Sequence, residues 1–198
     1  MPVTKAGNVR IDDVRIVFPR IFTPDDNGKY SVGMLLPKDH PDLAVIKTAM
    51  QEAAKKKWAD KAGARYKACA AKDNLALHDG STKDTDKYPE YEGMMYLNAY
   101  SKAMPTALVK GKVVESGDAF YSGAYANVIV NFWAQDDENR KGINCGLAGI
   151  QFLRDGERLG GGKVASADEF EDIDGDDTTV SEFDNDAGLD DPDDDVFG

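Results

Sequence analysis

Residues 166–198 hold fifteen Asp and Glu and no Lys or Arg. A segment with that charge density and so few apolar side chains cannot bury enough surface to offset the entropy of ordering it. The fold therefore has to be built from residues 1–165, and 166–198 are expected to be a disordered acidic tail. The division also changes the sign of what remains. The whole chain of 198 residues has 24 Lys+Arg against 36 Asp+Glu, a net charge of -12, whereas the body keeps all 24 bases against 21 acids, a net +3. A uniformly acidic surface repels phosphates at every approach, but a mildly basic body can carry a locally basic groove.

A body of this size, in a chain with 41% hydrophobic residues, suffices for one domain with one substantial core. No run of apolar residues is long enough to span a bilayer, and residues 1–15 lack the apolar segment of a signal peptide. The two cysteines, Cys69 and Cys145, are far apart and have no CxxC partner, which fits a reducing compartment. A cytoplasmic protein with no membrane contact is expected.

Along residues 9–22, Val14, Ile16 and Phe18 alternate with polar residues, the period that buries one face of a strand, and Pro19 then breaks or bulges it. Asp25, Asp26, Asn27 and Gly28 signal a hairpin turn, after which Tyr30, Val32, Met34 and Leu36 continue with period two. Leu43, Ile46, Met50, Ala53 and Ala54 form the stripe of an amphipathic helix running to about Lys61. Residues 63–93 show no sustained period and read as one long loop. Strands resume at Met94. Thr106 to Val114 reads as a hairpin about Lys110-Gly111, residues 125–134 (YANVIVNFWA) are the best strand in the chain, and residues 143–153 are the last. The pattern predicts a mainly β protein, a barrel or a sandwich with an inserted helix.

Catalytic signatures are missing by inspection. Residues 156–163 resemble a phosphate loop only in composition, since Glu157 stands where the first glycine should and Val164 follows the Gly-Lys pair. Asp172, Asp174 and Asp176 have the spacing that opens an EF-hand loop, yet Asp177 replaces its glycine and Phe183 its final Glu. Two histidines, His40 and His78, are too few for a His-based zinc site at these spacings, and no serine elbow or HExxH helix occurs. No metal, cofactor or catalytic residue is expected.

What the body does contain is cations and aromatics together. Single strands are bound without sequence preference by basic grooves that follow the phosphates and by aromatic faces on which bases stack. The candidate stacking residues are Tyr121 and Tyr125, favoured for their small neighbours, with Tyr96, Tyr100 and Trp133. The candidate phosphate contacts are Lys5, Arg10, Arg15, Arg20, Lys102, Lys110 and Lys112.

Several separated segments also resemble a known family. They are Arg15-Ile16-Val17-Phe18-Pro19-Arg20-Ile21-Phe22, Leu35-Leu36-Pro37-Lys38, Tyr88-Pro89-Glu90-Tyr91, the run from Phe120-Tyr121-Ser122-Gly123 through Val128, and the run from Gly146-Leu147-Ala148-Gly149 through Glu157. Together they look like a tailed-phage family first catalogued as a domain of unknown function and now regarded as phage single-stranded DNA-binding proteins. The resemblance covers roughly residues 9–170. It implies an OB-fold, single-stranded DNA as partner, no catalysis, and a role in phage replication or recombination. The tail, ending Asp193-Asp194-Asp195-Val196-Phe197-Gly198, is similar in kind to those of bacterial and other phage single-strand binders. That similarity implies docking of replication or recombination proteins at the tip and competition with DNA for the groove. Two other readings stay open on the residues alone: a DNA-mimicking or structural interaction protein, and a metal-dependent nuclease.

Overall fold

The computed structural model describes residues 8–137 and 141–159. Among them the order is β1 (Val9–Arg20), β2 (Tyr30–Pro37), α1 (Leu43–Trp58), α2 (Ala62–Ala71), β3 (Leu77–Asp79), β4 (Met94–Ser101), β5 (Thr106–Val109), β6 (Lys112–Val114), β7 (Tyr125–Asp136) and β8 (Lys141–Arg154). Lys5 and the tail residues Asp193, Asp194, Asp195, Val196 and Phe197 lie outside the described residues, as do the EF-hand-like aspartates.

Strand β1 sets the frame because it pairs on both sides, antiparallel to β2 and to β7. Its register shifts between Ile11 and Val14 and again between Val17 and Arg20, so two bulges bend it. Bulges raise local twist and re-aim side chains, which is how one strand can serve two partners in a closed sheet. The turn into β2 is held by Asp25, whose Oδ1 accepts from the amides of Asn27 (2.9 Å) and Lys29 (2.8 Å). Gly28 supplies the positive φ of +70° that the turn requires.

β4 pairs with β2 from Tyr30↔Ser101 to Pro37↔Met94, and β7 with β8 from Tyr125↔Arg154 to Asp136↔Lys141. The ring then closes with a parallel contact between β4 and β8 at Tyr100↔Gly146. The order β1-β2-β4-β8-β7 is a five-stranded closed barrel of the Greek-key, OB-type kind, and closure removes the open edges of the sheet. β3 extends it beside β4, and the β5–β6 hairpin continues it beside β8, turning at Lys110-Gly111 with φ of +50° and +76°.

Inside the barrel, Ile11, Val14, Ile16, Val32, Met34, Leu36, Leu97, Val128, Val130 and Ile150 form one core, each 1% exposed or less. Burial of a side chain of this size is worth about 1.5–3 kcal/mol. Leu43, Ile46, Met50, Ala54 and Trp58 of α1 add their stripe to the same core, at the three- and four-residue spacing read from the sequence.

The long loop expected over 63–93 is instead partly helical. α2 buries Ala62 and Cys69, packs Tyr66 against the core, and is followed by β3 and two 3-10 turns, Gly80–Thr82 and Pro89–Tyr91. The segment is alanine-rich, and alanine has the highest helix propensity without leaving an apolar stripe for a periodicity search to find. Ala59, at φ +46°, separates the two helices. α2 in turn holds the β7–β8 hairpin: Arg65 Nη1 donates to Asp136 Oδ2 at 2.6 Å, and the amide of Ile143 donates to the Asn74 carbonyl at 3.0 Å.

Candidate nucleic-acid interface

The outer face of β1, β2 and β4 is divided into a covered half and an open half. In the covered half Val17, Leu35, Tyr91 and Tyr96 form a second small apolar cluster, lidded by Tyr88, Met94 and Leu159. The Pro89–Tyr91 turn brings the Tyr91 ring edge-on to Tyr96, with centroids 5.2 Å apart. Burial pushes the Tyr91 phenol up to about 12. Residues 155–159 form a strap across the same region. Arg15 Nη2 donates to the Glu157 carbonyl at 2.9 Å, and the Leu159 amide to the Ser122 carbonyl at 2.8 Å. The Glu157 backbone passes so close to Gly123 that no β-carbon fits there.

In the open half a hollow of about 430 Å³ is lined by Phe18, Asp25, Lys29, Ser31, Asn98 and Tyr100, among others. Phe18 stands at its rim and is 53% exposed. It sits inside the second bulge with φ +47°, directly before Pro19. A bulky residue at positive φ is an outlier that costs of order 1–3 kcal/mol and persists only where its surroundings fix it. Here the Phe18 amide donates to Ser122 Oγ at 2.8 Å, and the ring meets the edge of Tyr88 at 6.4 Å.

From the hollow the surface crosses the β4–β8 seam. Tyr100 is in register with Gly146, and Gly146 with Asn131 on β7, so these three lie in a row across the barrel. Trp133, two residues along from Asn131, is 42% exposed. A β-carbon at Gly146 would come within 2.9 Å of Trp133 Cζ3, so the indole lies against bare backbone. Phe18, Tyr100 and Trp133 thus border a floor of uncharged polar groups, Ser31, Asn98 and Asn131. Cations gather at one end. Arg20 is opposite Ser31, and Tyr30↔Ser101 sets Lys29 beside Lys102. Among the described residues Arg20 and Lys102 form no salt bridge, and the Asp25 carboxylate is engaged by two backbone amides, of which that of Lys29 does most to hold it below its usual range. Aromatic platforms beside unpaired cations can stack bases and neutralise phosphates.

The other candidates fall elsewhere. Tyr96, expected as a stacking face, is 6% exposed because Tyr91 and His78 cover its ring. Tyr125 has the Arg154 guanidinium 3.5 Å from its ring centroid, and Tyr121 has that of Arg158 at 4.2 Å. The Tyr121 hydroxyl also donates toward Asp155 and the Gly156 carbonyl while accepting from the Gly156 amide, which makes it the anchor of the strap. Arg15 is committed to the same strap, and Arg10 is paired with Asp12 at 2.5 Å. Lys110 and Lys112 are exposed on the β5–β6 hairpin, away from the hollow. Phe18 and Lys29 are not among the residues that the sequence singles out. The period puts Phe18 on the buried face with Val14 and Ile16; a one-residue bulge reverses every side chain beyond it, and Pro19 is the signal for that bulge.

His78 stacks on Tyr96 and bonds Asp73 through Nδ1 at 2.8 Å, while Asp79, held down to about 2 chiefly by the Ser81 amide and also by Lys38, is engaged apart from it. Both thiols are buried, and burial raises them above the usual range. Among the described residues no three His, Cys, Asp or Glu side chains are grouped to hold a metal, and no helix is long and apolar enough to cross a membrane.

Comparison with known proteins converges on one group. The "Putative protein p50" of Acyrthosiphon pisum secondary endosymbiont phage 1 is 33% identical over 175 residues, 83% of this chain and 93% of that protein. Among solved structures, a C-terminal truncation of the single-stranded DNA-binding protein from bacteriophage Enc34 is similar with a TM-score of 0.66 and 26% identity, covering 78% of this chain and 90% of that one. The same phage protein in complex with single-stranded DNA is similar with a TM-score of 0.66 and 25% identity, over 79% and 91%. The family described as "Enterobacter phage Enc34, ssDNA-binding protein" matches residues 7–180, and the chain belongs to that family.

Proposed function

We propose that this protein binds single-stranded DNA without sequence preference during phage DNA replication or recombination, in the host cytoplasm, and that it makes and breaks no bond. The observation that carries the reading is the line Phe18, Tyr100, Trp133 across the β4–β8 seam, with an uncharged polar floor and Arg20, Lys29 and Lys102 at one end. In OB-type barrels oligonucleotides lie on the face of the second and third strands beside the first loop. By chain order around this barrel those strands are β2 and β4, and the loop is the one carrying Lys29. Bases stack on the three rings while the cations follow the phosphates. The Enc34 relative whose structure holds single-stranded DNA supports the reading.

We extend it to the acidic segment. Residues 1–165 form the binding domain, and residues 166–198 compete with DNA for the cations and present Asp193, Asp194, Asp195, Val196 and Phe197 to replication or recombination proteins. The strap supports this, because its last described residue, Leu159, is bonded to Ser122, which itself holds the Phe18 amide.

A fluorescence titration with oligo(dT) and with a duplex of equal length tests the function. Preference for the single strand is expected, with log affinity falling against log salt at a slope of about -0.7 per neutralised phosphate. No binding, or equal affinity for the duplex, overturns it. Cleavage of a labelled single strand in the presence of magnesium would replace it with a nuclease.

A further inference from the structure

Beyond Trp133 the outer face of β7 does not end. Trp133, Asn131, Ile129 and Asn127 alternate with the buried Val130 and Val128, so they share one face, and Ile129 lies about 13 Å from Trp133 at the usual strand rise. There a second hollow of about 400 Å³ opens, with an apolar floor of Ile129, Ala148 and Leu108 and a polar rim of Arg10, Asn127 and Gln151. Its size falls in the range of small-ligand sites.

The rim has a defined polarity. The Asp13 amide, which can only donate, bonds Asn127 Oδ1 at 3.0 Å. That orients the Asn127 carboxamide, whose Nδ2 donates to Gln151 Oε1 at 3.1 Å. Both amides are therefore set from one unambiguous backbone donor. Gln151 presents its Nε2 group outward, and among the described residues that group has no acceptor. Arg10 gives only its Nε to Asp12, which leaves the terminal guanidinium N–H groups for an anion. Lys112 stands on the adjoining hairpin, opposite Val109 of β5.

We propose that this hollow is a second nucleotide subsite, which receives a base of the same single strand after it has passed over Trp133. The inference rests on the function proposed above. The base lies on Ile129, Ala148 and Leu108, a carbonyl or ring-nitrogen acceptor on its edge receives Gln151 Nε2, and Arg10 meets the phosphate. The track then runs around the barrel from Phe18 to Gln151 instead of stopping at the seam.

The test uses the full chain and two oligo(dT) probes, a short one of about five nucleotides and a long one of about sixteen, which bracket the usual site sizes. Gln151→Glu keeps the oxygen that Asn127 bonds but replaces the outward donor with an anionic acceptor, so the fold is retained. It is expected to weaken the long probe about tenfold, the size of one stacked base, and to leave the short one unchanged. An abasic site scanned along the long probe should reproduce that loss at one position in the wild type and add nothing there in Gln151→Glu. Equal effects on both probes, no effect on either, or additive losses overturn the subsite while leaving single-strand binding intact. So does a change in self-association without DNA, which would assign the hollow to a second copy. Failure of the wild type to bind either probe overturns both proposals together.

Discussion

Trp133 rests on Gly146: any β-carbon at that glycine would meet the indole Cζ3 within 2.9 Å and the Asn131 carboxamide closer still. The neighbours that would have to move are the two side chains that continue the floor past Tyr100. Gly146→Ala is therefore expected to cost about 1–3 kcal/mol of stability by overpacking and to lower oligo(dT) affinity as the indole is displaced. Of the two tryptophans, Trp58 is 6% exposed and Trp133 42%. Quenching of emission by oligo(dT) should come from Trp133, and Trp133→Phe should remove most of it.

Phe18→Ala separates binding from stability. The ring is more than half exposed, so little core is lost and strain at a positive φ is not increased. Oligo(dT) affinity is expected to drop by about 1–3 kcal/mol, the worth of one stacked base, with the urea midpoint nearly unchanged. An equal loss from Tyr96→Phe would contradict the assignment, because that ring is inside the covered half.

Lys29→Ala and Lys102→Ala should each reduce the magnitude of the salt slope by about 0.7 if each contacts one phosphate. Lys110→Ala, away from the open half, should leave the slope over a short oligonucleotide unaltered. Titrations at several salt concentrations measure this directly.

Deletion of residues 166–198 removes fifteen negative charges. Affinity for oligo(dT) should rise, most at low ionic strength where the Debye length is about 30 Å at 0.01 M and least near 1 M. An affinity that does not change at any salt would show that these residues do not reach the cations.

Alkaline stability should report on Tyr91. Burial raises its phenol from 10.0 to about 12, so the folded state favours the neutral form. The stabilising contribution is whole below pH 10 and is lost as the pH rises toward about 12. Urea midpoints across that window should fall more steeply in the wild type than in Tyr91→Phe, with phenolate absorbance rising in step.

Most strands were legible because period two survives wherever one face is buried, as in residues 125–134. The site was legible only in part, for reasons local to particular residues. Phe18 obeyed the period in sequence and broke it in space, because the bulge reverses its side. Tyr121 and Tyr125 have small neighbours in sequence, but Arg158 of the strap and Arg154 at the end of β8 come from far along the chain to cover them. Nothing near Tyr121 or Tyr125 encodes that arrival. Tyr100 and Trp133 were recognisable as aromatics beside polar residues; that they come near one another across the seam depended on the parallel closure of β4 on β8.

That closure has a further consequence. β7 and β8 are laced along their whole length, whereas β4 meets β8 at the single register pair Tyr100↔Gly146. If the single strand takes the proposed path from Phe18 to Trp133, it crosses the barrel where its own lacing is thinnest and would act there as a staple. Holding the polymer and holding the barrel shut would then be one equilibrium, and amide exchange around Gly146 is expected to slow as the groove fills.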